Sequence, residues 1–202
     1  MKRTSTPLTL PLIQQQQKMI TVRVTDMPMY ADITQAINAL LTREPTAISS
    51  IQGSRFFPSI SGTALFYPFS AGTLMAVHVI GLPYKNTDCG KSFYGFHIHE
   101  GKHCTGNETD PFADAGAHYN PMGCLHPHHA GDLPALLGND GEALTIFYVD
   151  SFLPEQVVGR TLIIHEMPDD YMTQPSGNSG MKIACGEITF PPLYRPLPAS
   201  SR

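Results

Sequence analysis

The 202-residue chain contains no tryptophan, and only 15% of its residues are charged. Its apolar runs fall short of the roughly 20 residues that a membrane-spanning helix requires, so we expect no membrane span. The net charge of -4 argues against nucleic acid or an anionic membrane surface as a partner. A hydrophobic fraction of 42% excludes a disordered composition and indicates one domain of ordinary size.

The N-terminal stretch lacks the features of a secretory signal, which needs about 7 to 15 uninterrupted apolar residues and a small-residue cleavage site. Pro7 and Pro11 interrupt the apolar residues here, and a run of glutamines follows at 14–17. We therefore expect residues 1–18 to form a flexible leader and the protein to be cytoplasmic. Whether Met1 or Met19 is the true start stays open.

Proline and glycine, by contrast, are abundant, with 18 and 17 copies, and they separate short segments of strand composition. Together with a short strand near Val157 and Val158, these segments predict eight strands in an all-β antiparallel sandwich or flattened barrel. Two long connections, residues 101–141 and 167–181, are candidates for functional loops. The other seven predicted strands are 47–53, 59–67, 73–82, 93–100, 142–150, 161–166 and 182–190.

Ahead of the strands, apolar residues recur at helical spacing, which predicts an amphipathic helix over 32–43 with Asp32 at its N-cap. We expect the apolar face of this helix to pack on the barrel or on a partner. The helical positions are Ile33, Ala36, Ile37, Leu40 and Leu41. The predicted organisation is a leader at 1–18, an N-terminal extension at 19–46, a β domain at 47–190 and a proline-rich tail at 191–202.

Histidine is concentrated in the segment HYNPMGCLHPHHAGD, residues 118–132, which is too rich in glycine and proline to be helix or strand. A single loop histidine is more often merely solvated. Here the segment carries the donor set of a tetrahedral zinc site without thiolate: His118, His126, His129 and Asp132. His97 and His99 alternate along a predicted strand and so face the same side, and His165 ends another strand. These residues predict a metal site.

The motifs around these residues resemble those of the copper/zinc superoxide dismutase family. The resemblance covers roughly residues 47–190, and the motifs occur in family order with nearly family spacing. The segments that carry it are GFHIHE (95–100), HYNPMGCLH (118–126), HAGDLP (129–134), GRTLIIHE (159–166) and GNSGMKIACG (177–186). The resemblance implies a Greek-key β-barrel in which the two long connections bind metal and wall the active-site channel.

The resemblance also implies the ligands. It makes His97, His99, His118 and His165 the copper ligands. It makes His118, His126, His129 and Asp132 the zinc ligands, with His118 bridging the two metals and delivering a proton. Copper would cycle between two oxidation states, whereas zinc has no redox chemistry and would be structural. Asp169 resembles the aspartate that links a copper histidine to a zinc histidine, and His78, His103 and His128 match no ligand position.

Cysteine usage follows the same resemblance, which implies a disulfide between Cys104 and Cys185. Cys89 and Cys124 have no counterpart that can be assigned. Cys124 lies between metal ligands, so it could pair with Cys89, intrude on the zinc site or remain a buried thiol, and we favour the buried thiol.

The chain departs from the family at Lys182, where an arginine usually docks the superoxide anion, and lysine lacks the planar fork of arginine. Because residues 167–181 contain no basic residue, we expect slower and less salt-sensitive capture of superoxide. Two functions remain open. The chain could be a superoxide dismutase that binds copper and zinc, or a non-catalytic dismutase-like protein that binds the same metals. A homodimer is compatible with the sequence but not required by it.

Overall fold

A computed structural model describes residues 28–84 and 91–192. The described residues divide into two compact units between Asn38 and Ala39. The helix predicted over 32–43 is present as α1, Pro28–Thr42, because proline is tolerated in the first turn of a helix and need not delay its start to Asp32. Its apolar face is exposed at Ile33, Ile37 and Leu41. Within the described residues, no helix is long and apolar enough to cross a membrane.

The remainder is an antiparallel β fold of nine described strands, arranged in a seven-stranded sheet with the order β5-β8-β9-β1-β2-β3-β7 and a two-stranded sheet of β4 and β6. Neighbours such as β5 and β8, or β9 and β1, are far apart in the chain. The predicted all-β class is confirmed. The strands are β1 Ala47–Gly53, β2 Ser61–Phe69, β3 Gly72–Ile80, β4 Lys91–Tyr94, β5 Phe96–His99, β6 Leu136–Asn139, β7 Ala143–Val149, β8 Thr161–His165 and β9 Lys182–Thr189.

Three details of the predicted strands are wrong. The segment 93–100 is divided at Gly95, whose backbone N–H donates to the Met167 carbonyl at 2.7 Å, so β4 leaves the main sheet and pairs with β6. The strand near Val157 is a 3-10 helix, Pro154–Val157, because proline cannot donate to a strand ladder. Strand β6 was not predicted, since four residues give too short an alternation to read.

The core lies between the curled faces of the sheet. Alternate side chains of β2 and β3, among them Phe66, Met75 and Val77, have at most 1% of their surface exposed. Phe96 and Ile98 of β5 pack into the same cluster. Each such side chain contributes about 1.5 to 3 kcal/mol on burial. Strand β5 is therefore anchored by its own apolar side chains, and this anchoring fixes the histidines that alternate with them.

The predicted disulfide is present, since Cys104 and Cys185 are bonded across 81 residues of sequence. It ties the start of the long connection after β5 to strand β9. The expectation of a buried Cys124 thiol is wrong, because Cys124 is free and exposed. It lies in a stretch of the histidine loop, residues 121–125, in which every residue is exposed. Cys89 lies outside the described residues.

Candidate metal centre

Strand β5 carries two of the predicted ligands, and the histidine loop runs along its free edge. Isolated bridges pair His97 with Asp132 and His99 with His118. The backbone N–H of Ile98 donates to the Gly131 carbonyl at 2.9 Å. A β-carbon at position 131 would lie 2.3 Å from the Ile98 carbonyl oxygen, so only glycine permits this approach. The loop is thereby held as an extra strand beside β5.

Strand β8 brings the fourth histidine. The register between β8 and β9 shifts between Ile164 and His165, and the His165 backbone N–H donates to the Gly95 carbonyl at 2.8 Å. Such an irregularity redirects a side chain at the end of a strand. Here it accompanies a His165 ring that faces His99, with 3.3 Å between their Nε2 atoms.

The seven predicted ligand residues therefore fall into two groups of four that share His118. In each group every residue offers one ligand atom within 4.8 Å of the others. One group is the predicted copper set, His97, His99, His118 and His165. The other is the predicted zinc set, His118, His126, His129 and Asp132.

Four ring nitrogens in these groups are buried without a hydrogen-bond partner. Unpaired buried polar atoms are uncommon, and each one calls for an explanation. Two of them lie 3.1 and 3.3 Å from Asp132 Oδ2 in the zinc set without forming a hydrogen bond, and metal ions held by the two groups would accept the lone pairs of all four. The atoms are Nδ1 of His97, Nε2 of His118, Nδ1 of His126 and Nδ1 of His129. The residues present thus fit a pair of metal ions.

In His99 and His165, the Nδ1 atom contacts a backbone carbonyl of the protein. His99 Nδ1 lies 2.8 Å from the Gly116 carbonyl oxygen, and His165 Nδ1 lies 3.3 Å from the Gly180 carbonyl oxygen. A carbonyl can only accept, so each of these Nδ1 atoms carries the proton and each Nε2 keeps a lone pair. The tautomers of His99 and His165 are therefore those that ligation requires.

Asp169 fixes two further rings in the same way. Its carboxylate lies 2.8 Å from His97 Nε2 and 2.9 Å from His126 Nε2, so it joins one histidine of each group, as the sequence predicted. A β-carbon on Gly177 would lie 1.8 Å from an Asp169 carboxylate oxygen. Gly177 also has a φ of 67°, a conformation that glycine adopts without steric cost. Its absent side chain leaves room for the linking carboxylate.

Asp132 is the one carboxylate within the ligand groups. Its Oδ1 atom lies 2.7 Å from His118 Nδ1, and its Oδ2 atom accepts the His129 backbone N–H at 2.9 Å. Burial by itself raises the pKa of Asp132, but these hydrogen bonds outweigh it and lower the pKa below its ordinary value. The carboxylate is therefore ionised at neutral pH and able to offset the charge of a cation.

Burial also controls the protonation of three histidines in the copper set. It is the main reason that the pKa of His97 is lowered to about 2, with His118 and His165 adding to the effect. It likewise lowers the pKa of His165 to about 4 and that of His99 well below its ordinary value. Because a metal binds only unprotonated imidazole, these side chains are ready for ligation at neutral pH.

A cavity of about 690 Å³ opens over the copper set. His99, His118 and His165 form part of its lining, and Phe56, Phe57, Pro111, Pro175 and Met181 contribute apolar wall. Lys182 lies at its edge, where Nζ donates to Asp110 Oδ2 at 2.6 Å and to the Phe112 carbonyl at 3.1 Å. Three of the four copper-set histidines therefore border the space that a small molecule would enter.

The other three histidines lie outside both groups. His78 pairs with Glu142 at 2.7 Å, His103 lies 3.4 Å from Glu187, and His128 is exposed.

Sequence reasoning missed Asp110, the ion-pair partner of Lys182, and Gln174, whose amide exchanges hydrogen bonds with the His126 backbone. Neither lies in a motif or at a readable spacing from its partner.

Comparisons with known proteins agree with this geometry. A profile described as copper/zinc superoxide dismutase matches residues 60–188. The chain is 36% identical over 146 residues to the Cu-Zn superoxide dismutase of Deinococcus radiodurans, which covers 63% of this chain and 76% of that protein. It is 40% identical over 111 residues to the superoxide dismutase-like protein YojM of Bacillus subtilis, which covers 46% of this chain and 54% of that protein.

Among solved structures, the Cu/Zn superoxide dismutase from Brucella abortus is similar, with a TM-score of 0.58 and 26% identity over 70% of this chain and 98% of that chain. The segment that the family profile matches, residues 60–188, contains strands β2 to β8 and most of β9, together with both histidine groups. The profile, the relatives and the shared fold lead to one assignment: this chain belongs to the copper/zinc superoxide dismutase family.

Proposed function

We propose that this protein is a superoxide dismutase that converts superoxide into dioxygen and hydrogen peroxide with bound copper and zinc. The observation that carries the proposal is the set of four buried ring nitrogens without partners, two of which belong to the copper set beneath an open cavity. A purely structural zinc module would need only the second group. Its chemistry gives no reason to retain His97, His99 and His165.

Bound copper would supply the one-electron cycle that consumes two superoxide ions and two protons and yields dioxygen and hydrogen peroxide. The protein's part is to hold the ligands, admit the anion and move the protons. His118 is suited to proton transfer, because it belongs to the copper set and borders the cavity, its Nε2 atom has no hydrogen-bond partner, and its Nδ1 atom is held by Asp132 at 2.7 Å. An imidazole nitrogen at this place can take up a proton and donate it to the product.

The zinc set has a different task in this proposal. Asp132 and the rings of His126 and His129 hold one end of His118, and they lie on a loop bonded to β5. Zinc would close this loop and set the orientation of the shared ring without taking part in redox chemistry. The network around Asp169 transmits that orientation to His97.

A second candidate is a non-catalytic protein that binds the same metals. One observation favours it: the ammonium group of Lys182 is already paired with Asp110 at 2.6 Å, so the cavity holds little free positive charge to attract an anion. The Bacillus relative is named a superoxide dismutase-like protein, which is compatible with this alternative.

The test combines two measurements on one sample reconstituted with copper and zinc. Metal content by mass spectrometry should give one copper and one zinc per chain, and superoxide decay should be rapid and sensitive to cyanide. Full metal occupancy without catalysed decay would reject the enzyme and leave the metal-binding protein. Failure to bind copper would reject both.

A further inference from the structure

The charged side chains that line the cavity are not those expected of a site that attracts anions. Lys182 is the one lysine or arginine among the described residues that line it. Two carboxylates, Asp110 and Glu100, belong to the same lining, so histidines aside the lining carries more negative than positive formal charge. Apart from any bound metal ion, Lys182 therefore provides the only permanent positive charge among the described lining residues.

Lys182 is turned toward the wall by two acceptors. Its Nζ atom donates to Asp110 Oδ2 at 2.6 Å and to the Phe112 carbonyl at 3.1 Å. The side chain of Lys182 is 16% exposed and that of Asp110 is 40% exposed. Two of the three ammonium N–H donors are thus committed to the protein.

Asp110 is itself held in position by its loop. Its Oδ1 atom accepts the Phe112 backbone N–H at 3.1 Å, which leaves Oδ2 for Lys182. The Asn107 side chain accepts the Asp110 backbone N–H at 2.9 Å. The disulfide from Cys104 to Cys185 joins this loop to the strand that carries Lys182. The acceptor is therefore built into the loop before any ligand arrives.

We propose that Asp110 limits the anion affinity of this site by holding the Lys182 ammonium against the cavity wall. This inference rests on the proposed function for its catalytic consequence, but anion binding to the copper-loaded protein tests it separately. Asp110 acts through Lys182 and is thus a positioning residue for substrate capture. Releasing Lys182 gives it freedom to turn toward an anion near His99 and His165.

The main variant is Asp110→Asn, which keeps the side-chain shape and removes the charge. Azide is titrated into the copper- and zinc-loaded protein, and its binding is followed by visible absorption. We expect the variant to bind azide roughly fivefold more tightly than the parent, which corresponds to a fraction of one unit-charge interaction at a partly buried site. The value of kcat/KM for superoxide should rise by a similar factor and become more dependent on salt.

The matched control is Asp114→Asn, which removes one charge from the same loop. Asp114 is exposed, bonds to Thr105 at 2.5 Å and does not line the cavity. Its azide affinity should remain within a factor of about two of the parent, as expected for a screened surface charge. An equal rise in both variants would overturn the assignment, because general charge would then explain it.

A double-mutant cycle with Lys182→Met separates holding from simple repulsion. If Asp110 acts by holding Lys182, the gain in azide affinity from Asp110→Asn should shrink to less than about twofold in the Lys182→Met background. An equal gain in both backgrounds would reject the inference and assign Asp110 to direct repulsion of the anion.

The two proposals fail differently. Tighter azide binding in Asp110→Asn without superoxide decay in any variant would support the holding of Lys182 and reject the dismutase. Rapid decay with unchanged azide affinity and unchanged kcat/KM in Asp110→Asn would support the dismutase and reject the role of Asp110.

Discussion

The ligand groups and the cavity mouth above them are built by different means. Each ligand ring is fixed by a backbone partner, a carboxylate or a neighbouring ring, and most are almost fully buried. We use the term mouth for the part of the cavity lining formed by the side chains of Lys182, Asp110 and Met181. A ligand position tolerates few residue types because its geometry depends on several groups at once.

This difference means that a residue of the cavity lining can vary without disturbing the ligand groups. A lysine at the mouth leaves the tautomers of His99 and His165 unchanged, since those depend on the carbonyls of Gly116 and Gly180. Changes at the ligand groups should therefore affect metal content, whereas changes at the mouth should affect capture of the anion and leave metal content intact. The predictions that follow test this separation.

The largest effect is expected for His118→Ala, because His118 belongs to both groups. We expect loss of bound copper and at least a 100-fold loss in zinc affinity, since one of four ligands is removed and Asp132 loses its partner at 2.7 Å. Mass spectrometry of the purified protein measures both metals. His128→Ala is the control, because His128 is exposed and in neither group. Equal metal loss in the two variants would contradict the assignment.

The disulfide offers the next effect, on stability. Cys104→Ser should lower the free energy of unfolding of the oxidised protein by about 4 kcal/mol, because the bond closes a long loop in the unfolded chain. Urea unfolding followed by circular dichroism measures the change. Cys124→Ser, which removes the exposed free thiol, should leave stability within about 0.5 kcal/mol of the parent. No difference between the two variants would mean that the bond does not constrain the unfolded chain.

Asp169→Asn should weaken metal binding by about 10- to 100-fold. The carboxylate accepts from His97 and His126 at once, whereas an amide has one acceptor oxygen and would meet one ring with its NH₂ group. Competition with a chelator measures the affinity. Asp170→Asn is the matched control, since Asp170 is exposed and bonds to Thr173. Equal affinities in the two variants would remove Asp169 from the ligand network.

Two parts of the ligand groups could be predicted from residue spacing because their signals are local, whereas the joining of His99 with His165, 66 residues away, was implied only by the family resemblance. His97 and His99 lie two residues apart on one strand, and the zinc set lies within one loop. Asp110 could not be predicted, because 72 residues separate it from Lys182 and their contact depends on how the loop folds back. Strand β6 and the 3-10 helix at Pro154–Val157 were not predicted for a related reason, since short segments take their conformation from tertiary partners. The exposure of Cys124 likewise depends on the path of its loop.

The smallest effect is expected at the mouth itself. Lys182→Ala should lower kcat/KM for superoxide by about tenfold or less, the low end of electrostatic steering, because Asp110 already offsets much of the lysine's charge. Copper and zinc content should not change, and Lys102→Ala, at an exposed position outside the cavity lining, should leave the rate unaltered. Stopped-flow decay of superoxide at low salt measures all three proteins. Unchanged kinetics in Lys182→Ala would remove Lys182 from capture, whereas loss of metal would show that the mouth and the ligand groups are not separable.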